Sequence, residues 1–420
     1  MNTAAFILVA CFVFGFGLVS RRLTVAPVTP PLVFVGLGIA FGPWGLDWLD
    51  FDVEHGAMHL LAELTLILVL FGDAARIDLS ALRRELGLPV RLLAIGMPLT
   101  ILLGALVGKW LFPQLSWLEA AVLGAVLAPT DAALGQAVVS NPAVPTRVRQ
   151  ALNVESGLND GIVLPVVLVL AALASMSAEV TSSATDWVRF AALQVTLGPA
   201  VGVAVAWLGN VLLKASVARR WMEPPFERLT GLALALLAFA CAEHVGGNGF
   251  IAAFVAGMML GQWTRGRCEW LYDFLEAEGQ LLMLLVFLAF GVSFAAPAFE
   301  TASWRSLAYA ALSLTAVRMI PVAISMLAAG LRFPTILFLG WFGPRGLASI
   351  LFGILVLDEA ELPNEALIFE LVMLTVLFSV VAHGVSAAPL ARRYAAMAAD
   401  PAHCAEEHRE VMVHSLRMRS

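Results

Sequence analysis

Three acidic side chains, Asp131, Glu155 and Asp160, lie within two consecutive apolar segments of this sequence. Placing a charged side chain in hydrocarbon costs at least about 2.5–3.5 kcal/mol, so such residues commonly mark ion pathways. Thr130 precedes Asp131 and Ser156 follows Glu155, and both add hydroxyl oxygens. Carboxylates and hydroxyls are hard oxygen ligands. Without a His or Cys cluster beside them, they favour a small cation over a transition metal.

Helical spacing groups several of these residues. Glu155 and Asn159 are four residues apart and share a helix face, whereas Asp160 lies about 100° further round than Asn159. In the preceding segment, Pro129 breaks the helix and frees backbone carbonyls near Thr130. The two segments together supply an oxygen-rich site that suits a small cation. A structural polar network that fixes helix packing remains the alternative for Asn159 and Ser156.

Two basic residues, Arg318 and Arg345, also lie in the middle of apolar segments and need counter-charges. Glu155 is a natural partner for one of them, and we favour Arg318. If that pair forms, Glu155 is mainly structural and Asp160 is left to titrate. Arg345 follows a proline break and is placed to neutralise the helix end that faces the site. A purely structural pairing at the break is the alternative for Arg345.

The composition of the whole chain explains why these charges matter. Of its 420 residues, 60% are apolar and 13% are charged, against about 45–50% and about 25% in soluble domains. This excludes a soluble enzyme and a disordered chain, and a net charge of -6 offers no basic stripe for nucleic acid. We predict an all-α polytopic membrane protein with about thirteen transmembrane helices. Their predicted ranges are 4–20, 24–42, 58–73, 87–111, 117–138, 151–175, 187–213, 229–245, 248–262, 275–296, 304–329, 333–357 and 367–390.

Lysine and arginine concentrate in alternate loops between these spans, as cytoplasmic loops do. We therefore expect the N-terminus to lie outside, with a transmembrane domain over 1–396 and a short cytoplasmic tail over 397–420. Arg21 and Arg22 follow the first apolar segment, which predicts a first span rather than a cleaved signal peptide. None of the four cysteines forms a CxxC pair, so we expect reduced thiols.

Residues 128–131 (Ala-Pro-Thr-Asp) and 343–346 (Gly-Pro-Arg-Gly) interrupt two distant spans in the same way. Each has a mid-membrane proline followed by a polar residue, and the charge pattern makes the two spans run in opposite directions. Interrupted helices at corresponding positions of inverted repeats mark the binding site of a secondary transporter. The alternative is the general tolerance of membrane helices for Pro and Gly.

These motifs resemble those of the NhaP-type sodium/proton antiporters, bacterial and archaeal relatives of the mammalian sodium/proton exchangers. Residues 155–161 (Glu-Ser-Gly-Leu-Asn-Asp-Gly) look like the Asn-Asp signature of that family, and supporting matches lie at 78–84, 129–131, 254–257 and 343–346. The resemblance implies an inverted-repeat fold with crossed discontinuous helices. It also implies a homodimer in which a core domain moves against a dimerisation domain in an elevator motion.

The resemblance further implies roles for individual residues. Asp160 is expected to carry the cation and the proton in turn. Asp131, Thr130 and Ser156 are expected to help coordinate the cation.

The remaining implied roles are structural. Glu155 is expected to pair with Arg318, and Asn159 is expected to hold the two broken helices together. Because an electrogenic relative has a second aspartate where this chain has Asn159, electroneutral exchange is implied. One departure concerns the first break, where Ala132 follows Asp131 in place of the proline of many relatives.

We therefore predict a secondary active transporter in a bacterial inner membrane that exchanges Na⁺, or Li⁺, for a proton. It is expected to be no enzyme and to need no cofactor, since the sequence lacks HExxH, a glycine-rich nucleotide loop and a Ser/His/Asp arrangement. K⁺/H⁺ exchange and sodium-coupled symport of an organic anion stay open as alternatives. Ligand number and cavity size decide the choice of cation, and the sequence does not show them.

Overall fold

The structure is a computed structural model that describes residues 3–23, 28–50, 57–77, 87–131, 133–139, 141–177, 184–264, 269–359, 362–399, 404 and 406–407. These residues contain helices and no β-strand. The helices are α1 (Thr3–Leu23), α2 (Pro30–Phe41), α3 (Ala57–Arg76), α4 (Leu88–Arg91), α5 (Met97–Leu111), α6 (Trp117–Val126), α7 (Gln136–Val139), α8 (Thr146–Ser177), α9 (Ala184–Ala218), α10 (Pro224–His244), α11 (Gly249–Thr264), α12 (Glu269–Phe290), α13 (Ala296–Glu300), α14 (Trp304–Leu314), α15 (Ala316–Ser325), α16 (Phe333–Trp341), α17 (Leu347–Glu359) and α18 (Glu365–Met397). Two π-helical turns, Leu92–Gly96 and Gly291–Ala295, join α4 to α5 and α12 to α13.

The helices follow the predicted spans in order, and the predicted all-α polytopic membrane fold is confirmed. Within the described ranges, six helical stretches are long and apolar enough to cross a membrane, and five shorter ones are also apolar. The predicted division between spans 229–245 and 248–262 is also present. Gly246 has a φ of 78°, a backbone conformation that glycine adopts readily, and it separates α10 from α11.

Three of the differences between the predicted spans and the helices have an identifiable feature. In span 24–42, residues 24–27 lie outside the described residues, and α2 begins at Pro30, because proline suits the first helical positions and not the interior. Span 58–73 continues to Arg76 and so places Asp73 inside α3. Span 304–329 is interrupted at Thr315, just before Arg318, although no proline or glycine marks that position.

The helices pack as two groups. In the first group, α3 packs against α11 and α12, α2 packs against α12, and α11 packs against α9 and α10. Small residues allow the closest approach: a side chain at Gly257 or Gly261 would overlap the backbone of Phe71 or Ala75 in α3. The second group contains α4–α8 and α14–α18, with both interrupted spans. It meets the first where α3 contacts α8 and α17, and also where α8 contacts α9 and α11, α12 contacts α17 and α2 contacts α18.

Candidate ion-binding site

Two discontinuous helices meet within the second helix group, and their interruptions are in direct contact. The first break, Leu127–Asp131, follows α6, and the second break, Phe342–Gly346, separates α16 from α17. Each contains a proline, which lacks the N–H that a continuous helix would use. The backbone N–H of Asp131 donates to the carbonyl of Pro344 at 2.8 Å. The first break is therefore hydrogen-bonded to the second.

The second break supplies the positive charge that the first break needs. A helix that stops inside the membrane leaves unsatisfied carbonyls and a negative partial charge at its C-terminal end. Arg345 Nη1 donates to the carbonyls of Ala128 at 2.7 Å and Pro129 at 3.1 Å, just beyond the end of α6. The Arg345 side chain is fully buried. It therefore compensates the end of α6 from within the protein.

The first break supplies the negative charge in return. Asp131 Oδ2 accepts the backbone N–H of Leu347, the first residue of α17, at 2.8 Å, and its Oδ1 accepts the N–H of Ala133 at 2.8 Å. A side chain at Gly346 would overlap the Asp131 carboxylate, so this approach requires glycine. Asp131, which the sequence placed among the cation ligands, caps the positive N-terminal end of α17.

Glu155 and Arg318 form a buried ion pair. Arg318 Nη1 donates to Glu155 Oε1 at 2.6 Å, and Nη2 donates to Oε2 at 2.8 Å. Both residues are buried, with 2% of their surface exposed. A side chain at Gly343 in the second break would overlap the guanidinium. The bidentate geometry neutralises both charges and ties α8 to α15, beside the second break.

A chain of polar contacts ties α8 to the first break. Asn159 Nδ2 donates to Thr130 Oγ1 at 2.7 Å, and Thr130 Oγ1 lies 3.0 Å from Ser156 Oγ. Asn159 and Thr130 are buried, whereas Ser156 is partly exposed. Asn159 Oδ1 is buried with no hydrogen-bond partner in the part of the chain that the structure describes. The contacts therefore hold three neutral oxygens beside the break and leave one of them unused.

Asp160 differs from the other charged groups of the site. Its residue is partly exposed, yet its Oδ1 is buried and accepts no hydrogen bond from the described residues. Asp131 and Asp73 lie close enough to interact with it electrostatically, and both interactions are repulsive when the carboxylates are charged. A bound cation or a bound proton at Asp160 relieves this repulsion.

Asp73 is the site residue that the sequence analysis missed. It lies in α3, in the first helix group, and faces Asp160 of α8 across the boundary between the two groups. The predicted span ended at residue 73, which made this carboxylate a boundary residue. A usable signal was present, because Ala74 and Ala75 continue the apolar segment beyond it.

A stripe of partly exposed residues leads to Asp160 along one side of α8. It contains Asn153, Ser156 and Gly157, and nothing lies within 4 Å of the position where Gly157 would carry a side chain. Directly after Asp160 the helix is covered, because the ring of Phe254 packs onto the buried Gly161. Asp160 is thus accessible from the N-terminal end of α8 and covered from the other end.

These contacts distinguish charged groups that stabilise the fold from one carboxylate that is available to bind an ion. Arg345 and Asp131 cap helix ends, and Arg318 and Glu155 neutralise each other. Asp160 keeps an unpartnered carboxylate oxygen, and it lies on the same helix as Ser156 and Asn159. Such an arrangement can bind a small cation or a proton at one carboxylate, and it offers hard oxygens as further ligands.

Comparison with known proteins identifies the family of the chain. The chain matches the family described as sodium/hydrogen exchanger, transmembrane, over residues 7–393. It is 27% identical over 379 residues to the K(+)/H(+) antiporter NhaP2 of Shewanella sp. (strain ANA-3), covering 89% of this chain and 63% of that protein. It is also 26% identical over 379 residues to the K(+)/H(+) antiporter NhaP of Alkalimonas amylolytica, again covering 89% and 63%. The chain thus spans less than two thirds of the length of these curated relatives.

The fold is shared with a solved structure. The sodium proton antiporter MjNhaP1 from Methanocaldococcus jannaschii, determined at pH 8, superposes with a TM-score of 0.74 and 20% sequence identity. The superposition covers 93% of this chain and 98% of that one. The predicted kinship with the NhaP-type antiporters is confirmed: the chain belongs to the sodium/hydrogen exchanger family.

Proposed function

We propose that this protein exchanges a monovalent cation for a proton, and that both bind in turn to Asp160. The observation that carries the proposal is the buried, unpartnered Oδ1 of Asp160 beside a break whose helix ends are hydrogen-bonded by Arg345 and Asp131. Thr130, Ser156 and Asn159 supply neutral oxygens beside the first break. The names of the relatives, which are K(+)/H(+) and Na(+)/H(+) antiporters, support the same exchange.

The chemistry of competition follows from one carboxylate. Desolvation favours the neutral form of a carboxyl group, so a proton and a cation can each displace the other at Asp160. Acidic pH fills the site with protons and slows cation binding. We propose Na⁺ as the main cation, with Li⁺ as a second substrate. K⁺ belongs in every assay because the relatives from Shewanella and Alkalimonas amylolytica are named for it.

We further propose that the exchange is electroneutral. Asn159 cannot take up a proton, and Glu155 is held in an ion pair with Arg318. Asp160 is then the one group that binds a cation in one half of the cycle and a proton in the other, so one positive charge moves in each direction. An uncompensated charge would feel about 2.3 kcal/mol per 100 mV of membrane potential.

Alternating access is proposed to arise from movement of the second helix group against the first. Asp160 and Asp73 face each other across that boundary, and the accessible stripe on α8 ends at Phe254 of the first group. We propose that the partly exposed side of Asn153 and Ser156 is a cytoplasmic funnel. The chain is proposed to form a homodimer in a bacterial inner membrane, with its N-terminus outside and its tail in the cytoplasm.

The experiment is a proteoliposome assay with an internal pH dye. Na⁺, Li⁺ and K⁺ are added in turn outside vesicles that hold purified protein, and the Asp160→Asn variant is the matched control. We expect cation-driven alkalinisation inside for at least one cation with the wild type and none with the variant. No pH change with any cation would remove the proposed function.

The same vesicles test electrical balance. A potassium–valinomycin potential is imposed for cations other than K⁺, and the rate is expected to stay constant. A rate that rises strongly with the potential would mean that a second group, such as Asp131 or Glu155, carries a further proton.

A further inference from the structure

Helix α18 crosses the second break and contacts both of its ends. Ser379 and His383 lie one helical turn apart on α18, and both are fully buried. Ser379 Oγ accepts the backbone N–H of Arg345 at 2.7 Å. His383 Nδ1 lies 3.2 Å from Ser379 Oγ, and its Nε2 lies 2.9 Å from the carbonyl oxygen of Trp341. Two side chains of one helix therefore connect the last residue of α16 with the N–H groups that precede α17.

The Trp341 carbonyl and the Ser379 hydroxyl favour one neutral tautomer of His383. The carbonyl oxygen of Trp341 only accepts, so His383 Nε2 must carry a hydrogen. Ser379 Oγ already accepts the Arg345 N–H and can donate its own proton to His383 Nδ1. One neutral tautomer thus satisfies an unbroken series of hydrogen bonds from the Arg345 N–H through Ser379 and His383 to the Trp341 carbonyl.

The charged groups around the ring also favour a neutral imidazole. Arg345 and Arg318 are the groups that interact electrostatically with His383, and both oppose a positive charge on the ring. The remaining contacts are neutral. The ring of Trp341 lies 4.9 Å from the imidazole, and the Trp341 Nε1–H donates to Ser386 Oγ at 3.0 Å. The carbonyl of Ser379 lies 3.0 Å from Nδ1 and favours a hydrogen there, so the form with a bare Nδ1 depends on the two arginines and on the Ser379 hydroxyl as donor.

The hydrogen bonds of Ser379 and His383 are connected to the ion site through Arg345. The backbone of Arg345 is held by Ser379, while its guanidinium donates to the carbonyls of Ala128 and Pro129 immediately before Thr130. The distance between the two ends of the second break therefore determines the position of the guanidinium at the first break. A helix end without this support would leave a carbonyl and an N–H unsatisfied away from water.

We infer that His383 is a positioning residue of the ion site. With Ser379 it forms a neutral hydrogen-bonded bridge that fixes the distance between the two ends of the second break. It neither binds the cation nor carries the transported proton. This inference rests on the proposed cation/proton exchange. It assigns a role to a buried residue far from Asp160 in the sequence.

The first experiment compares His383→Leu with His383→Gln. Leucine removes both contacts, whereas glutamine keeps one donor and one acceptor. We expect His383→Leu to raise the KM for the cation about tenfold, the effect of losing one well-formed buried hydrogen bond. We expect His383→Gln to stay within about twofold of the wild type and to keep its pH profile. His244→Leu, at an exposed position at the end of α10, is the matched control and is expected to change nothing.

Two results of that experiment would overturn the inference. One is a folded His383→Leu protein with the KM and the pH profile of the wild type. The other is a His383→Gln protein with a displaced pH profile, which would make the ring a titrating group.

A second measurement does not depend on transport, and it also decides the matter if His383→Leu does not fold. In ¹⁵N-histidine-labelled protein, the resonances absent from His383→Gln belong to His383. We expect Nε2 protonated and Nδ1 unprotonated from about pH 6 to about pH 8. A ring protonated on both nitrogens, or on Nδ1 alone, overturns the inference. A wild type that exchanges no cation removes the proposed function instead, whereas the ring measurement still tests the bridge.

Discussion

At the first break, charged groups from elsewhere compensate the helix end, and the neutral oxygens of Thr130 and Asn159 lie beside it. At the second break, no ion ligand is exposed in the described structure, and neutral groups of α18 hold the two backbone ends. The two breaks have the same topology and run in opposite directions. This difference shows that two inverted repeats can have different roles. The first break lies beside the proposed ion site, and the second break supports the first.

The aspartates Asp131 and Asp160 also differ in whether they stabilise the fold or are available to an ion. Asp131 lies in the first break and has a hydrogen bond to each carboxylate oxygen. Asp160 lies on the continuous helix α8 and keeps Oδ1 without a partner. A carboxylate that is saturated by backbone N–H groups stabilises the fold, whereas one that is left unsaturated can bind and release an ion. Four sets of substitutions test which charges stabilise the fold and which bind the ion.

The largest expected effect is on transport by Asp160→Asn. Asparagine can neither take up a proton nor supply a negative charge, so we expect exchange to fall by at least about a hundredfold. Thermal stability should be unchanged or higher, because a repulsive charge is removed. The measurement is the proteoliposome pH assay together with a melting curve of the purified protein. Cation-driven pH change at a substantial fraction of the wild-type rate would remove Asp160 from the mechanism.

The next effect concerns the Glu155–Arg318 pair. Each single change, Glu155→Ala or Arg318→Ala, leaves an uncompensated buried charge and should lower the free energy of unfolding by about 3–5 kcal/mol. The double change should lose less than the sum of the two. Melting temperatures and denaturant curves of the three variants provide the cycle. Additive losses would show that the pair contributes no coupling energy.

A smaller loss is expected for Asp131→Ala. Two backbone N–H groups then lose their acceptor, which costs about 1–3 kcal/mol of unfolding free energy. Asp131→Asn should recover part of this loss, because an amide oxygen still accepts a hydrogen bond. Stability and apparent cation affinity are measured on the same preparations. A variant of full stability whose cation binding is lost as completely as in Asp160→Asn would make Asp131 a ligand rather than a cap.

The smallest effect is expected for Asp73→Asn. The Asp73 carboxylate favours a cation at Asp160 without belonging to the second helix group, so its removal weakens an electrostatic attraction of about 1 kcal/mol. We expect the apparent cation affinity to fall about fivefold at unchanged stability. Asp73→Glu keeps the charge and should stay near the wild type. Equal loss in both variants would assign Asp73 a packing role.

Much of the architecture was readable from residue types alone. The apolar segments, the alternation of arginine between loops and the two proline breaks predicted a polytopic helical protein with interrupted helices. The physical reason is that membrane insertion acts on each segment separately, through its own length and polarity. For the same reason the costly charges Asp131, Glu155, Asp160, Arg318 and Arg345 could be singled out before any contact was known.

The sequence favoured Arg318 as the partner of Glu155, whereas the partners of the other charges were decided by the tertiary structure. Glu155 meets Arg318 across 163 residues of sequence, and Asp131 meets Leu347 across 216. Asp73 joins the site because α3 runs one turn further than its predicted end and packs against the second helix group. His383 bridges the second break because α18 crosses it. Apolar patterns are local properties of a chain, whereas a partner for a buried charge is chosen by packing, which depends on all the helices at once.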